Sequence, residues 1–223
     1  MAMAGPIPMP TDAQILTLAQ WLSPAYPVGA FAYSHGLEWL AHSGAVSDGE
    51  ALAEWLEGVL RFGAGQSDAL FLAAAYRAEN ARALSRINDM CRAFAPARER
   101  LAETELQGAA FCEVTTAVFG HDLPPLAFPV AVGRAAALEG LPLRLTAKMY
   151  LQAFAANLVA AGTRLIGIGQ TESQHLIRRL APLLESVAEK AIGGSLDDLS
   201  GTAFLADIAA MKHETQRSRI FRT

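Results

Sequence analysis

Apolar residues recur with the period of an α-helix along most of this chain, and this pattern restricts the possible fold more than any other feature. In one segment, Leu52, Trp55, Leu56, Val59 and Leu60 fall on a single helical face. No segment alternates β-branched and polar residues over the length of a strand, and the many alanines favour helix. The sequence therefore predicts an all-α fold, built as a single-domain multi-helix bundle.

Candidate N-terminal caps precede several of the predicted helices. A Ser, Thr or Asp side chain can accept a hydrogen bond from the first free N–H groups, and a Glu or Gln three positions later completes a capping box. The candidate boxes are Thr11 with Gln14, Ser47 with Glu50, and Thr171 with Gln174, and Ser67 is a further candidate cap. Pro129 suits the first turn of another helix.

Three stretches of different composition follow from these signals. Residues 1–10 hold three prolines and no basic residue, so we expect a flexible leader without signal-peptide character. Residues 11–192 form the predicted helical domain, and 223 residues suffice for one sizeable core. Residues 193–223 begin with Gly-Gly-Ser and end in a basic stretch, which predicts a flexible joint and a C-terminal arm.

Composition also excludes several classes of function. The longest apolar tract, residues 141–169, is interrupted by five charged or amide side chains, so we expect no membrane span and a cytoplasmic protein. The net charge is −4 and no basic stripe is present, which argues against nucleic acid as a partner. Cys91 and Cys112 are the two cysteines, and their context predicts reduced, packed thiols.

Residues 22–38 resemble neither an ordinary helix nor an ordinary linker. Pro24 and Pro27 fix the backbone, while Gly29 and Gly36 permit conformations that other residues avoid, with aromatic residues between them. Two interpretations remain open from the residues alone. The aromatic side chains either fold inward behind a helix end, or they form a rigid platform for a partner.

The last thirteen residues, 211–223, form a second unusual segment. Four basic residues alternate there with Ile220 and Phe221. The segment is either a solvated tail or an arm that becomes ordered on binding, with the apolar residues as anchors and the arginines as forked donors. The residues by themselves do not decide between the two.

These segments carry a resemblance to the UreF family of urease accessory proteins. The first match is Ser23-Pro24-Ala25-Tyr26-Pro27-Val28-Gly29, followed by Phe31, Tyr33-Ser34 and Gly36-Leu37-Glu38. The second is Arg164-Leu165 with Gly169-Gln170 and Gln174, and the third is Met211, His213-Glu214, Gln216, Ser218-Arg219 and Phe221-Arg222. Their order and spacing agree with the family over nearly the whole chain.

Three residues depart from the family pattern within the first match. Ala30 stands where a glycine is usual, Ala32 where serine is frequent, and His35 where glutamine is frequent. The Cβ atom of Ala30 makes a positive φ angle unfavourable there, so we expect a local difference in the loop.

The resemblance implies an accessory protein, a nickel-insertion chaperone, rather than an enzyme. It implies an all-helical homodimer that binds a partner called UreD or UreH, recruits and regulates the GTPase UreG, and helps to deliver nickel to the urease apoprotein. No cofactor, catalytic residue or resident metal is expected in this chain. The candidate partner-binding residues are Ser23, Pro24, Pro27, Gly29, Phe31, Tyr33, Ser34, Gly36, Glu38, Gln170, His213, Glu214, Arg219, Phe221 and Arg222.

Within that set, we expect the largest energetic contributions from aromatic and arginine side chains. Such residues are the usual anchors of protein interfaces. Tyr33, Phe221, Arg219 and Arg222 are therefore the leading candidates, and the arm is expected to become ordered when the UreD-type partner docks.

Other functions remain as alternatives. A nickel-binding carrier would use His35, Glu38 and His42, which share a helical face if the helix extends through them. An enzyme would draw on the acidic pair at residues 197–198 or on the His-Glu pair at 213–214, but neither has an evident set of catalytic neighbours. Residues 162–169 lack the Lys-Ser/Thr of a phosphate loop, so we expect no GTP binding by this chain.

Overall fold

The computed structural model describes residues 9–223, which form α-helices and two 3₁₀ turns without any β-strand in that range. The α-helices are α1 (Asp12–Trp21), α2 (Leu37–His42), α3 (Gly49–Phe62), α4 (Ala64–Tyr76), α5 (Ala81–Ala93), α6 (Arg98–Phe119), α7 (Phe128–Leu138), α8 (Leu143–Ile166), α9 (Gln170–Gly193) and α10 (Phe204–His213). The 3₁₀ turns span Ala30–Ala32 and Leu196–Asp198. The prediction of an all-α fold is confirmed.

The helix starts agree only in part with the predicted caps. Thr11 forms the expected capping box with Gln14, and Pro129 lies in the first turn of α7. The N-cap of α3 is Asp48 rather than Ser47, because the Asp48 carboxylate is placed to accept the N–H of Ala51. The other two predictions were wrong, since Ser67 lies inside α4 and α9 begins at Gln170 after a glycine N-cap.

Helix α4 lies at the centre of the molecule. Its sequence is apolar around most of its circumference, so no single face is left for solvent. It packs against α3, α7, α8 and α9, while α8 and α9 form an antiparallel hairpin through a left-handed turn at Gly167. One continuous cluster of buried residues extends from α1 to α10, which agrees with a single core.

The segment from residue 193 onward is packed, where the sequence predicted a flexible joint and arm. A 3₁₀ turn with a capping box at Ser195 follows α9, and Thr202 donates its N–H to the carbonyl of Phe62. Helix α10 then lies against α2 and α6, and Phe221 is only 4% exposed. Composition could not predict this packing, because the polar groups that hold the segment belong to helices that are distant in the sequence.

The two cysteines are free and buried, as predicted. The expected leader, residues 1–10, falls almost entirely outside the described residues. Within residues 9–223, no helix combines the length and apolar character that a membrane crossing requires.

Candidate functional site

The loop after α1 and the last residues of the chain form one surface, although nearly 180 positions separate them in the sequence. We refer to residues 23–38 as the Pro-Gly loop and to residues 214–223 as the C-terminal segment. The main-chain N–H of Ser34 donates to the main-chain oxygen of Thr223 over 3.0 Å, and the N–H of Arg222 donates to the carbonyl of Ala32 over 2.8 Å. Two of the unusual sequence segments are therefore in direct contact.

The Glu38 carboxylate is the main polar anchor of the C-terminal segment. Glu38 is buried in the first turn of α2, and its two oxygens accept the main-chain N–H groups of Ile220 at 2.6 Å and Phe221 at 2.8 Å. A buried carboxylate is tolerated when such donors compensate for lost hydration. The segment is thus held by a specific set of hydrogen bonds as well as by apolar contact.

His213, the last residue of α10, lies between two carboxylates. The ring is fully buried, with Nε2 at 3.2 Å from Glu38 and Nδ1 at 2.7 Å from Glu99 of α6. Arg219 donates to the second oxygen of Glu99 over 2.6 Å. These contacts join α2, α6 and α10, so His213 and Arg219 fix the end of the chain on the helical body.

Gly36 permits the close approach of α10 to the loop. Its φ angle is +78°, and a Cβ atom added there would lie 2.5 Å from the main-chain nitrogen of Ala210. The preceding residue, His35, also takes a left-handed conformation, with φ of 56°. Ala30 does not, as its Cβ atom led us to expect. The left-handed backbone at the start of α2 is therefore maintained by the contacts around it.

A buried ionic cluster lies directly beneath this turn. Glu103 of α6 contacts the His35 ring at 2.8 Å, accepts the Thr223 hydroxyl at 3.0 Å, and is paired with Arg100. Burial alone raises the pKa of Glu103, but the positive charge of Arg100 and the His35 contact more than offset it and lower the pKa to about 2. Burial and the neighbouring Arg100 lower the pKa of His35. Glu103 is consequently ionised at neutral pH.

Two of the predicted interface anchors are buried within the chain. Tyr33 is 3% exposed, and burial raises the pKa of its phenol while a hydrogen bond from Arg222 opposes that rise. The Phe221 ring lies under the Arg164 guanidinium, 4.3 Å from the ring centroid, and Arg164 also donates to the carbonyl of Phe31. Tyr33 and Phe221 therefore support this surface from the interior and are not themselves exposed to a partner.

The remaining candidate residues differ in exposure. Ser34, Gly36, Glu38 and His213 are buried, whereas Ser23, Gly29 and Glu214 are partly buried, Glu214 being paired with Arg98. The exposed candidates are Pro24, Pro27, Phe31, Gln170, Arg219 and Arg222. Gln170 begins α9 and joins none of the hydrogen bonds between the Pro-Gly loop and the C-terminal segment. A partner can thus reach only part of the predicted set.

The outer face of α10 is a feature that the sequence analysis missed. Phe204, Leu205, Ile208 and Met211 are all exposed and follow one another at helical spacing. The opposite face is buried through Ala209, Ala210 and His213. Apolar residues around most of this helix were the available signal, but the sequence did not show which face is covered.

Two cavities lie behind the surface formed by the Pro-Gly loop and the C-terminal segment, and some side chains line both of them. One, of about 320 Å³, is lined mainly by residues of the Pro-Gly loop, α6 and α8, and the other, of about 250 Å³, lies toward α5 and α10. Asp68, His35 and Arg100 line both. Burial raises the pKa of Asp68 to about 6, although Arg100 and a hydrogen bond from the Tyr150 hydroxyl, 2.8 Å away, oppose the rise.

The other sites considered from sequence do not assemble. His35 precedes α2, so it shares no helical face with the exposed His42, and Glu38 is already occupied by the C-terminal segment. No group of three or more His, Cys, Asp or Glu side chains within residues 9–223 is placed to hold a metal ion. The start of the glycine-bounded segment 162–169 belongs to α8, where Gly162 packs on Leu52.

Comparison with known proteins gives a consistent result. A family model described as UreF matches residues 46–181. Proteins named urease accessory protein UreF are similar over nearly their whole length: the one from Ruegeria pomeroyi is 58% identical, covering 96% of this chain and 99% of the relative, and the one from Roseobacter denitrificans is 52% identical, covering 96% of each. A relative from Rhodopseudomonas palustris is 42% identical, covering 100% of this chain and 99% of its own length.

Proposed function

Since this chain belongs to the UreF family of urease accessory proteins, we propose that it acts through protein contacts during the loading of nickel into urease. In this proposal it binds a UreD- or UreH-type partner, and the pair recruits and regulates the GTPase UreG. Nickel is the cargo of the assembly. The chain supplies surfaces and no catalytic centre of its own.

The observation that carries the proposal is the meeting of the Pro-Gly loop with the C-terminal segment. Buried groups such as Glu38 and His213 maintain that meeting, while Phe31, 65% exposed, and Ile220, 74% exposed, remain accessible beside it. A surface that is rigid before binding loses little conformational entropy when a partner docks. This arrangement suits recognition better than catalysis.

The outer face of α10 extends the accessible apolar area. Monomeric proteins rarely expose several large apolar side chains together unless the patch is used for binding. We place the contact with the UreD-type partner on this face and on the neighbouring Ile220. The exposed residues of the Pro-Gly loop are then left for UreG.

Reconstitution of urease activation from purified components tests the function as a whole. Omission of this chain should abolish activation and leave the urease without its nickel, while addition of the chain should restore both. The isolated chain should neither hydrolyse GTP nor turn over urea. Activation that proceeds equally well without the chain would contradict the proposal.

Charge introduced on α10 tests the placement of the UreD-type partner. We expect Ile208→Asp with Met211→Asp to abolish co-purification with that partner, because docking would then bury two unpaired carboxylates at a high desolvation cost. Met90→Asp with Leu138→Asp, at exposed positions on α5 and α7, is the matched control and should bind normally. Circular dichroism should show unchanged helix content in both variants, and equal binding by both would exclude this face.

The proposal includes a homodimer in the cytoplasm. Further apolar side chains are exposed on α1 and α6, namely Leu16, Leu106 and Val118. Such apolar surface favours self-association. Light scattering over a concentration series should show a mass that rises toward twice that of the chain. A mass independent of concentration and equal to one chain would rule out the dimer.

A further inference from the structure

A shallow groove of about 410 Å³ lies where the end of α2 meets the turn after α10. The residues that line it share a polar or cationic character, apart from one tryptophan. They are Trp39, His42, Lys212, Thr215, Gln216, Arg217 and Ser218. The groove includes none of the exposed apolar residues of α10.

The groove carries positive charge that the rest of the chain does not neutralise. Lys212 and Arg217 are exposed, no acidic side chain lines the groove, and neither residue forms an ion pair within residues 9–223. Arg219, in contrast, is paired with Glu99. The two cations of the groove therefore differ from the motif residue Arg219 in having no carboxylate partner within residues 9–223.

The backbone of the turn adds donors to this charge. The N–H groups of Thr215 and Gln216 are used within the turn, where they donate to Lys212 and His213. Those of Arg217 and Ser218 have no acceptor within the described part of the chain. Successive free N–H groups beside cationic side chains form a concave surface that favours anionic oxygen atoms.

We propose that this groove docks an acidic segment of a partner protein, whose carboxylates pair with Lys212 and Arg217 while Trp39 packs against the neighbouring side chains. Arginine and tryptophan are both enriched at the energetic centres of interfaces. The chain carries a net charge of −4 overall, so this groove provides a local field that orients such a partner. The inference rests on the proposed function only in placing that partner in the urease assembly.

The size of the site favours a protein segment over a nucleic acid. A nucleic acid requires a track of cations that follows its phosphates, whereas two cations and one histidine line this groove. Both cations are also exposed rather than enclosed, so a small free anion would remain largely hydrated. A protein segment can exclude water from the pairs that it forms.

Peptide binding to the isolated full-length chain tests the proposal. The probes are a labelled short peptide of alternating Glu and Gly and the same peptide with Gln in place of Glu, measured by fluorescence anisotropy at low salt. The wild-type chain should bind the Glu peptide more tightly. Lys212→Glu with Arg217→Glu should weaken that binding about tenfold, or about 1.4 kcal/mol, and should gain affinity for a Lys-Gly peptide.

Arg82→Glu with Arg86→Glu is the matched control, because both arginines are exposed on α5 and the net charge changes equally. This variant should bind the Glu peptide as the wild type does. Equal affinity of the wild type for the Glu and Gln peptides, or equal losses in the two double variants, would overturn the proposal. Tighter binding of a labelled single-stranded oligonucleotide than of the Glu peptide would also overturn it. These outcomes do not depend on whether urease activation requires the chain.

Discussion

Individual residues in this molecule have roles that depend on a few close contacts. Glu38 is an example, since one carboxylate accepts two main-chain N–H groups and faces a buried imidazole. Gly36 and Asp68 are two further examples. Gly36 is important because α10 packs closely against it, and Asp68 because its pKa is raised. Each supports a prediction that can be checked with a single substitution.

Gly36→Ala should destabilise the protein more than Gly29→Ala. Both glycines have positive φ, for which an alanine costs about 1–2 kcal/mol. At Gly36 the new Cβ would also collide with the backbone of α10, while at Gly29 no atom lies within 4 Å. Chemical denaturation measures the two losses, and the difference between them reports the close approach of α10. Equal losses would mean that α10 does not lie against Gly36 in solution.

Asp68→Asn should stabilise the protein in a pH-dependent manner. The pKa of Asp68 in the folded chain, about 6, lies above the ordinary value of 3.8, so folding favours the protonated form. Its contribution to stability is therefore complete below about pH 4 and is lost as the pH rises through 6. Relative to wild type, the variant should gain about 1–3 kcal/mol between pH 4 and pH 8.

Thermal or chemical unfolding across that pH range provides the measurement for Asp68. Asp89→Asn, at an exposed position on α5, serves as the control and should show no comparable change with pH. A gain at Asp68 that is the same at pH 4 and pH 8 would show that its carboxyl group titrates as an exposed one.

At the scale of elements, the C-terminal segment is the part whose position the sequence left open. It is held by hydrogen bonds to α2 and α6 and by the burial of Phe221 beneath Arg164. The stabilisation is reciprocal: the segment provides further donors for the buried Glu38 and the partly buried Glu99, which otherwise contact only the His213 ring among the hydrogen bonds described above. Segment and helices therefore stabilise each other.

Glu38→Gln should weaken the hydrogen bonds that hold the C-terminal segment while leaving the helices folded. The amide retains one acceptor oxygen, but its NH₂ group then faces a donor, with a cost of about 1–3 kcal/mol. Hydrogen exchange should show faster exchange of the Ile220 and Phe221 amides. Glu54→Gln, exposed on α3, is the control. Unchanged protection in Glu38→Gln would mean that apolar contact alone holds the segment.

At the scale of the whole molecule, one core links the helices from α1 to α10, and Phe221 belongs to the same cluster. Small cooperative domains unfold in one step when no part has a separate core. The segment that the sequence separated as an arm should therefore unfold together with the helical body.

Phe221→Ala tests this cooperativity. Removal of a buried phenylalanine costs about 3–5 kcal/mol, so the variant should lower the temperature of a single transition. The neighbouring Ile220→Ala, at a residue that is 74% exposed, should change it little. Differential scanning calorimetry distinguishes a shifted single peak from two separate peaks, and two peaks would show that the segment unfolds independently.

The sequence by itself determined the fold class and the family, because helical period, capping residues and the motif spacing are local properties of the chain. It also identified the Pro-Gly loop and the last residues as unusual. It could not assign their side chains to the interior or the surface. From the sequence, Tyr33 and Phe221 were predicted to be exposed anchors, whereas both are buried in the folded chain. The tertiary structure decided that, since the burial of a side chain and the pairing of charges such as Arg219 with Glu99 depend on residues more than 100 positions away. The same contacts leave Lys212 and Arg217 without an acidic partner in residues 9–223.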